Sequence, residues 1–383
     1  MKLNIAILGT RGIPNNYGGF EHIAGYLGKG LVEKGHNITV YNSHKHPYQE
    51  KEWNGVRIIH CYDPEYMIGV AGQFIYDFNC ILDTRKRNYD IILMLGYTSS
   101  SVWGKLYPRK AIIITNMDGL EWQRTKFSKP VRNFLKYAEK LAVRSSRFHV
   151  ADSPVIKDYL DNKYNIKSKY IAYGADLHPE ANEEYLLEYG LKKQLYFLLM
   201  ARMEPENNIE MILDGFCLSR SKNKFIVIGN CGNGFGKYLV DKYKNESRIV
   251  FLGALFNERK VQSLSSFCSL YFHGHSVGGT NPSLLDAMAC KAPLAAHGNA
   301  FNRSILRDNA RFFQNELEVC SLINSGDYAN KSHIQNNYST IANEFAWDSI
   351  IDQYESFFME CYLASQEYYP LKHEEIILSG REY

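Results

Sequence analysis

The residues best suited to chemistry lie in two glycine loops and a few polar positions beside them. The run His273-Gly274-His275-Ser276-Val277-Gly278-Gly279-Thr280-Asn281-Pro282-Ser283 follows a strand-like segment at 268–272 and precedes a helix-like one at 284–290. Main-chain N–H groups at Gly278 and Gly279, the hydroxyls of Thr280 and Ser283, and the dipole of the helix start together suit a phosphate. Arg202, just past the apolar run 195–200, adds a cation at the same sheet edge, where doubly wound folds bind ligands. Such a set is an anion site, with N–H groups, hydroxyls, a helix dipole and a guanidinium aimed at one phosphate. His273 and His275 read either as contacts to phosphate or sugar hydroxyls or as supports of the loop.

The first glycine loop, residues 9–21, joins a strand-like run at 3–8 to a helix expected at 20–34, and contains Gly9, Gly12, Gly18 and Gly19. Glycines let the backbone approach a ligand at the helix start. The spacing is not G-x-G-x-x-G and no acid follows the second strand, which argues against a nicotinamide or flavin site. A tight turn without a ligand is the plain alternative. Between Trp122 and Arg147 stand eight Lys/Arg and one acid, Glu139. Arg132, Lys136, Lys140 and Arg144 fall at i+4 steps on a helix started by Ser128 and Pro130, with Leu135, Ala138 and Ala142 on its apolar side. That stripe is either a solvated face or a surface for anionic lipid headgroups or a lipid-linked pyrophosphate. No nucleic-acid-binding motif accompanies the charge.

The elements that must carry these loops follow from the apolar pattern. Twelve short apolar runs alternate with helix-like stretches, at 3–8, 38–41, 56–61, 91–95, 111–115, 148–151 and 170–173, then at 195–200, 225–229, 249–253, 269–272 and 293–296. Continuous apolar strands separated by helices predict parallel sheets covered on both faces, and two such series predict an α/β protein of two doubly wound, Rossmann-like domains. The expected division is 1–175, 176–338 and a tail of helices at 339–383 returning to the first domain. The chain has 383 residues, 44 Lys+Arg against 41 Asp+Glu and a net charge of +3, so any basic site is local. Eight cysteines without a C-x-x-C pair fit a reducing, cytoplasmic setting and offer no metal motif. The start of the chain lacks a signal-peptide pattern, and the apolar window 67–82 is broken by Gln73, Asp77 and Asn79.

The motifs together resemble the two-domain GT-B glycosyltransferases of family 4, and within them the bacterial rhamnosyltransferases of surface-polysaccharide synthesis. The resemblance rests on Gly9 to Pro14 with Tyr17 to Glu21, Asn116 to Lys126, Ala201 to Asn208, His273 to Ala289 and Phe345 to Asp348. It implies a nucleotide sugar, dTDP-L-rhamnose or another donor such as a UDP-hexose or GDP-sugar, held between the domains without a metal. Arg202, Asn207, His275, Gly278, Gly279, Thr280 and Asn281 would face the donor diphosphate. Glu206 and Asp286 would lie near the nucleoside or donor sugar, with Gly18 and Gly19 opposite. Asp118 would assist the acceptor hydroxyl or the developing cation, beside Arg202 and Asp286 as catalytic residues. Glu121, Trp122, Arg124, Lys126, Arg132, Lys136 and Lys140 would face a lipid-linked saccharide acceptor at the inner face of the cytoplasmic membrane, with Trp122 stacking on a sugar ring or packing against the following helix. Against the broad family the second loop is longer and lacks its earlier acid, Asp286 occupies a position usually held by Glu, and Asn207 one usually held by Lys; the rhamnosyl subset accommodates the Asn and the longer loop. A catalytically weak binding subunit of a polysaccharide assembly complex, which Asp286 and the missing acid suggest, is the alternative from another class.

Overall fold

The computed structural model describes residues 1–16, 18–117, 119–177 and 181–379, with side chains as far as residue 366. Strands β1 (Asn4–Leu8), β2 (Asn37–Ser43), β3 (Glu52–Trp53), β4 (Val56–Cys61), β5 (Ile91–Leu95), β6 (Ile112–Asn116), β7 (Phe148–Ala151) and β8 (Lys169–Tyr170) form one sheet in the order β3-β4-β2-β1-β5-β6-β7-β8. All its pairings are parallel except the hairpin β3–β4. A second, all-parallel sheet has the order β11-β10-β9-β12-β13-β14, built from β9 (Tyr196–Met200), β10 (Lys224–Ile228), β11 (Ile249–Gly253), β12 (Leu270–His273), β13 (Leu294–His297) and β14 (Arg311–Phe313). The central strands β5 and β9 are apolar along their whole length because helices cover both faces.

Strand order reverses beside β1 and β5 in the first sheet and beside β9 and β12 in the second. The loops leaving those strands diverge to opposite faces and open a crevice at the C-terminal edge, which is where such folds bind ligands. Both glycine loops and Arg202 leave one of these four strands.

The ends of the chain segments depart from the sequence pattern in three places. The strand expected at 170–173 stops at Tyr170, and the chain turns away to place Ala175 in an isolated bridge with Ala346. The final helices are not continuous from 339. The helix Lys331–Thr340 runs into a π-turn, Ile341–Phe345, and Ala346 is extended before the long helix Trp347–Ser379 begins. The break is what lets Ala175 N–H donate to the Phe345 carbonyl at 2.8 Å and Trp347 pack on Gly174. Strands β3 and β14 are too short to have shown as apolar runs.

The long helix returns to the first domain. Ile351 meets Gly30 of the helix Gly19–Glu33, Tyr354 accepts from Asn116 Nδ2 at 3.1 Å, and Glu355 pairs with Lys34 at 3.0 Å and with His36 at 3.1 Å. One apolar cluster therefore runs from Ile5 and Leu93 through Tyr173, Phe345, Trp347 and Tyr354 to Tyr196 and Leu284, so the two domains share buried surface.

Candidate active site

The C-terminal edges of the two sheets face one another across a cleft of about 850 Å³. From the first domain it is lined by Gly18 and Gly19, and from the second by Arg202, His275, Gly278, Gly279, Thr280, Asn281 and Asp286. Residues 278 to 281 reach the N-terminus of the helix Pro282–Ala289, where Asn281 is the cap: its Oδ1 accepts from Ser283 N at 3.2 Å and from Ser283 Oγ at 2.9 Å.

Among the loop positions that require glycine, two shape the cleft edges directly. Gly9 has φ +86°, and a Cβ there would lie 2.1 Å from the Leu95 carbonyl oxygen, so β1 can turn out beside β5 only without a side chain. A Cβ on Gly279 would lie 2.0 Å from Asp152 Oδ1, just past β7 of the first domain. The second glycine loop is thus pressed against the opposite domain. Thr280 Oγ1 donates to the Asp152 carbonyl, which corrects its expected role: the hydroxyl joins the domains instead of facing a phosphate.

The cations come from both sides. Arg124 and Lys126, expected toward the acceptor or membrane, line the inter-domain cleft and cross it. Arg124 Nε donates to Glu121 Oε1 at 2.7 Å and its Nη1 to Glu206 Oε1 at 3.4 Å, while Lys126 Nζ reaches Glu204 Oε1 at 3.2 Å. Glu121 also lines the cleft. Glu206 does not: it is 4% exposed, and its carboxylate is turned to Arg124. Asn207 is corrected in the same way, since its Nδ2 donates to the Arg202 carbonyl at 2.7 Å and holds the turn that aims Arg202. Asp118 lies outside the described residues, so its expected catalytic place is not part of this geometry.

The basic helix Lys129–Ser145 also differs from the simple stripe. Arg132 Nε donates to the Trp122 carbonyl at 2.7 Å, and Lys136 Nζ sits 4.5 Å from the Trp122 ring centre. Trp122 Nε1 donates at 3.0 Å to Glu139, the one acid of the segment, which is buried and also takes Tyr159, Tyr164 and Lys163. Trp122 is therefore a packed anchor for the turn that carries Glu121 and Arg124, and its ring is covered by lysine instead of open to a sugar. Lys136 and Lys140 remain on the exposed face, and neither they nor Arg132 line the cleft.

Burial sets the charges at the second glycine loop. It holds His273 down to about 3, and His275, stacked on it at 4.4 Å, is held well below its ordinary value by burial and then by His273, Arg202 and Arg124. Both imidazoles are neutral near pH 7, so the positive charge facing a ligand comes from Arg202, Arg124, Lys126 and main-chain N–H groups. Asp286 is pushed up to about 7 by burial, then by Asp176 and Glu258.

Beside Arg11 of the first glycine loop, several cleft residues carry no sequence motif. Arg11, Asp63, Glu65, Gln73, Asp77 and Ser99 build the first-domain wall. Arg11, Asp63 and Ser99 follow β1, β4 and β5, so the rule that places ligands beyond the C-terminal ends of strands is the signal that finds them. Among the described residues no group of three or more His, Cys, Asp or Glu is arranged to hold a metal, and no helix is long and apolar enough to cross a membrane.

Two Rossmann-like domains that present a glycine loop, a helix N-terminus and an arginine to one shared cleft define the GT-B class of glycosyltransferases. Residues 182–319 match the family model for glycosyl transferases group 1, and residues 2–176 match that of a domain of unknown function (DUF1972). The chain is a glycosyltransferase, and residues 182–319 are the part that is similar to group 1. No curated protein sequence matches it. Among solved structures, sucrose-phosphate synthase from Thermosynechococcus elongatus superposes with a TM-score of 0.76 at 14% identity, over 94% of this chain and 100% of that one. A glycosyltransferase from Rickettsia africae gives 0.71 at 16% over 94% and 98%, and Anabaena HepE, solved with UDP and glucose, gives 0.71 at 15% over 94% and 100%. At these identities the likeness is one of fold.

Proposed function

We propose that this protein transfers L-rhamnose from dTDP-L-rhamnose to a lipid-linked saccharide at the inner face of the cytoplasmic membrane, in the synthesis of a cell-surface polysaccharide. The observation that carries the transfer chemistry is the convergence of Arg202, Arg124, Lys126 and the N–H groups of residues 278–281 on one inter-domain cleft. As the bond from the sugar to the diphosphate breaks, these groups face the charge growing on the leaving oxygen, and the protein's own cations take the place of a metal. Asp286, which lines the cleft with Gly18 and Gly19, would accept from a hydroxyl of the donor. Asp118 keeps its proposed part at the acceptor hydroxyl or the developing cation, and retention of configuration is part of the same reading.

Rhamnose is supported by the long second loop and by Asn207, both features of the resemblance to rhamnosyltransferases. The lipid-linked acceptor is supported by two neighbouring surfaces. One is the exposed face of the basic helix, with Lys136 and Lys140. The other is the exposed apolar run Tyr66, Met67, Ile68 and Val70, 61%, 65%, 50% and 69% accessible. The run leads into the helix Gly72–Thr84, whose Phe74 packs on Phe134 of the basic helix. Apolar side chains flanked by lysines suit an anionic bilayer surface. A UDP-hexose donor is the second reading, favoured by the Anabaena neighbour solved with UDP-glucose.

Calorimetry with dTDP-L-rhamnose, UDP-glucose, UDP-N-acetylglucosamine and GDP-mannose tests the proposal. Selective binding of dTDP-L-rhamnose that is lost in Arg202→Ala is the expected result. Preference for another nucleotide sugar replaces the donor, and binding of none of the four favours a binding subunit without transfer activity.

A further inference from the structure

The edge of the first sheet that faces away from the cleft carries charge that the transfer chemistry does not use. Residues 1–175 hold 25 Lys and Arg against 15 Asp and Glu, whereas residues 176–383 hold 19 against 26. Part of the excess forms a row along the N-terminal ends of the strands. Arg57 lies at the start of β4, Lys2 and Arg87 precede β1 and β5, Lys110 precedes β6, and Arg147 precedes β7. Two depressions follow the row. One, of about 560 Å³, is lined by Lys2, Arg57 and Arg87, and the other, of about 380 Å³, by Lys105, Arg109, Lys110 and Arg147. Arg87 is held by Asp83 at 2.5 and 3.2 Å. Lys2, Arg57, Lys105, Arg109 and Lys110 are exposed and make no ion pair among the described residues, although Glu52 stands across from Arg57 in the β3–β4 register. Of the described residues that line the two depressions, Asp90 alone is a carboxylate, and its Oδ2 is taken by Asn4 N and Nδ2 at 2.7 and 3.2 Å.

We propose that this edge docks an extended acidic segment of a partner protein. Helices end at this edge, and a cation in the last turn of a helix offsets its dipole, as Arg144 does. That accounts for Arg144, but not for a row set at strand starts along two hollows. The length of the row selects a chain over a single anion. From β4 to β7 the sheet order takes five steps, at about 4.8 Å each about 24 Å. An extended segment of about eight residues covers the same distance and repeats its side chains on one face about every 6.7 Å, so several carboxylates reach the cations together. Protein is favoured over a bilayer or a nucleic-acid strand because no apolar side chain lining the depressions is exposed. Membrane-surface elements bury an apolar face, and single strands stack their bases on aromatic rings. With the cleft at the other edge of the sheet, such a segment tethers the enzyme without closing its site. This surface is independent of which nucleotide sugar is the donor.

Fluorescence anisotropy of labelled octaglutamate on the full chain, at physiological salt, provides the test. The peptide is expected to bind the unaltered protein, and tetraglutamate, which spans half the row, to bind at least about tenfold more weakly. Arg57→Glu with Lys110→Glu puts repulsion at both ends of the row and is expected to lower octaglutamate affinity about tenfold or more. Both side chains are exposed and unpaired, so the fold is expected to keep its circular dichroism and thermal midpoint. Lys136→Glu with Lys140→Glu, on the basic helix, serves as the comparator and is expected to change the affinity by less than about twofold, as for sites without shared partners. Absence of octaglutamate binding overturns the surface. So does binding that is unchanged in the Arg57 and Lys110 variant, binding that falls equally in the comparator, or equal affinity for the shorter peptide. Phosphatidylglycerol vesicles or octathymidylate that lose binding in the Arg57 and Lys110 variant, while octaglutamate does not, overturn it in favour of a membrane or a nucleic acid.

Discussion

Arg202 and Asp286 show how one side chain can be read at two levels. Arg202 lines the cleft beyond β9, and Asn207 holds the carbonyl of its turn. Charge-assisted contacts to a phosphate contribute about 1.5–3 kcal/mol each, so Arg202→Ala is expected to weaken nucleotide-sugar binding by about ten- to a hundredfold in calorimetry. Asp286 carries a pH signature as well. Its carboxyl sits at about 7 in the fold against 3.8 in an unfolded chain, so the folded protein retains a proton that the unfolded chain releases. Below about pH 4 both forms are neutral and Asp286 costs nothing; as pH rises to 7 folding is penalised progressively, and the full penalty stands above 7. Asp286→Asn is therefore expected to raise the thermal midpoint at pH 8 and leave it unchanged near pH 4. A midpoint that falls at pH 8 would show that the carboxylate is stabilised by partners and not burdened by burial. Asp286→Glu tests the other side: tighter donor binding marks a site weakened by the shorter chain, and weaker binding one adapted to Asp.

At the scale of the element, the second glycine loop is a contact between domains as much as a ligand cradle. Gly279 lies against the Asp152 carboxylate and Thr280 bonds the Asp152 carbonyl. Gly279→Ala puts a methyl group where no Cβ fits, so the loop must withdraw from the first domain. Each domain should keep its far-ultraviolet circular dichroism while turnover falls by about a hundredfold, since displacing a phosphate cradle by an ångström has that cost. Trimming the obstruction with Asp152→Ala in the same chain is expected to recover part of the activity. No recovery would mean the methyl group acts within its own loop. The glycine signal was legible in the sequence, because backbone approach has few other solutions. What Gly279 approaches was not, because Asp152 is far away along the chain.

For the whole molecule, two ion pairs join the domains across the cleft, Arg124 with Glu206 and Lys126 with Glu204. The second is the more accessible, so its net strength is small, about 0.2–1 kcal/mol, but it acts on the relative position of the domains. Lys126→Glu is expected to lower turnover and enlarge the radius of gyration in small-angle scattering, and Lys126→Glu with Glu204→Lys to restore both. Reversing Lys136 and Lys140 to Glu, or Met67 and Ile68 to Asp, should reduce co-sedimentation with anionic liposomes without altering nucleotide-sugar affinity. Unchanged co-sedimentation in both sets would leave these surfaces as solvated faces. Adding EDTA is expected to leave transfer unaffected, and a loss that magnesium restores would show that the cations of the cleft are not sufficient.

Local pattern alone determined the two sheets, because a strand buried on both faces must be apolar throughout, and β5 and β9 are. It also determined where the glycine loops and Arg202 lie, since the residues that leave a strand at its C-terminal end are read directly from the chain. The short strands β3 and β14 escaped because two or three residues carry no period. Glu139, one acid in a basic run, could not show itself as the buried anchor of Trp122. Asp63 and Asp77 looked like any isolated carboxylates until folding closed the wall around them. The pairings that shape the cleft belong to the tertiary structure alone: Arg124 meets Glu206 across 82 positions of sequence and Thr280 meets Asp152 across 128. Charge and hydrogen bonding act over a few ångströms of space, and neighbours in space are chosen by the packing of whole domains rather than by the spacing of residues in the chain.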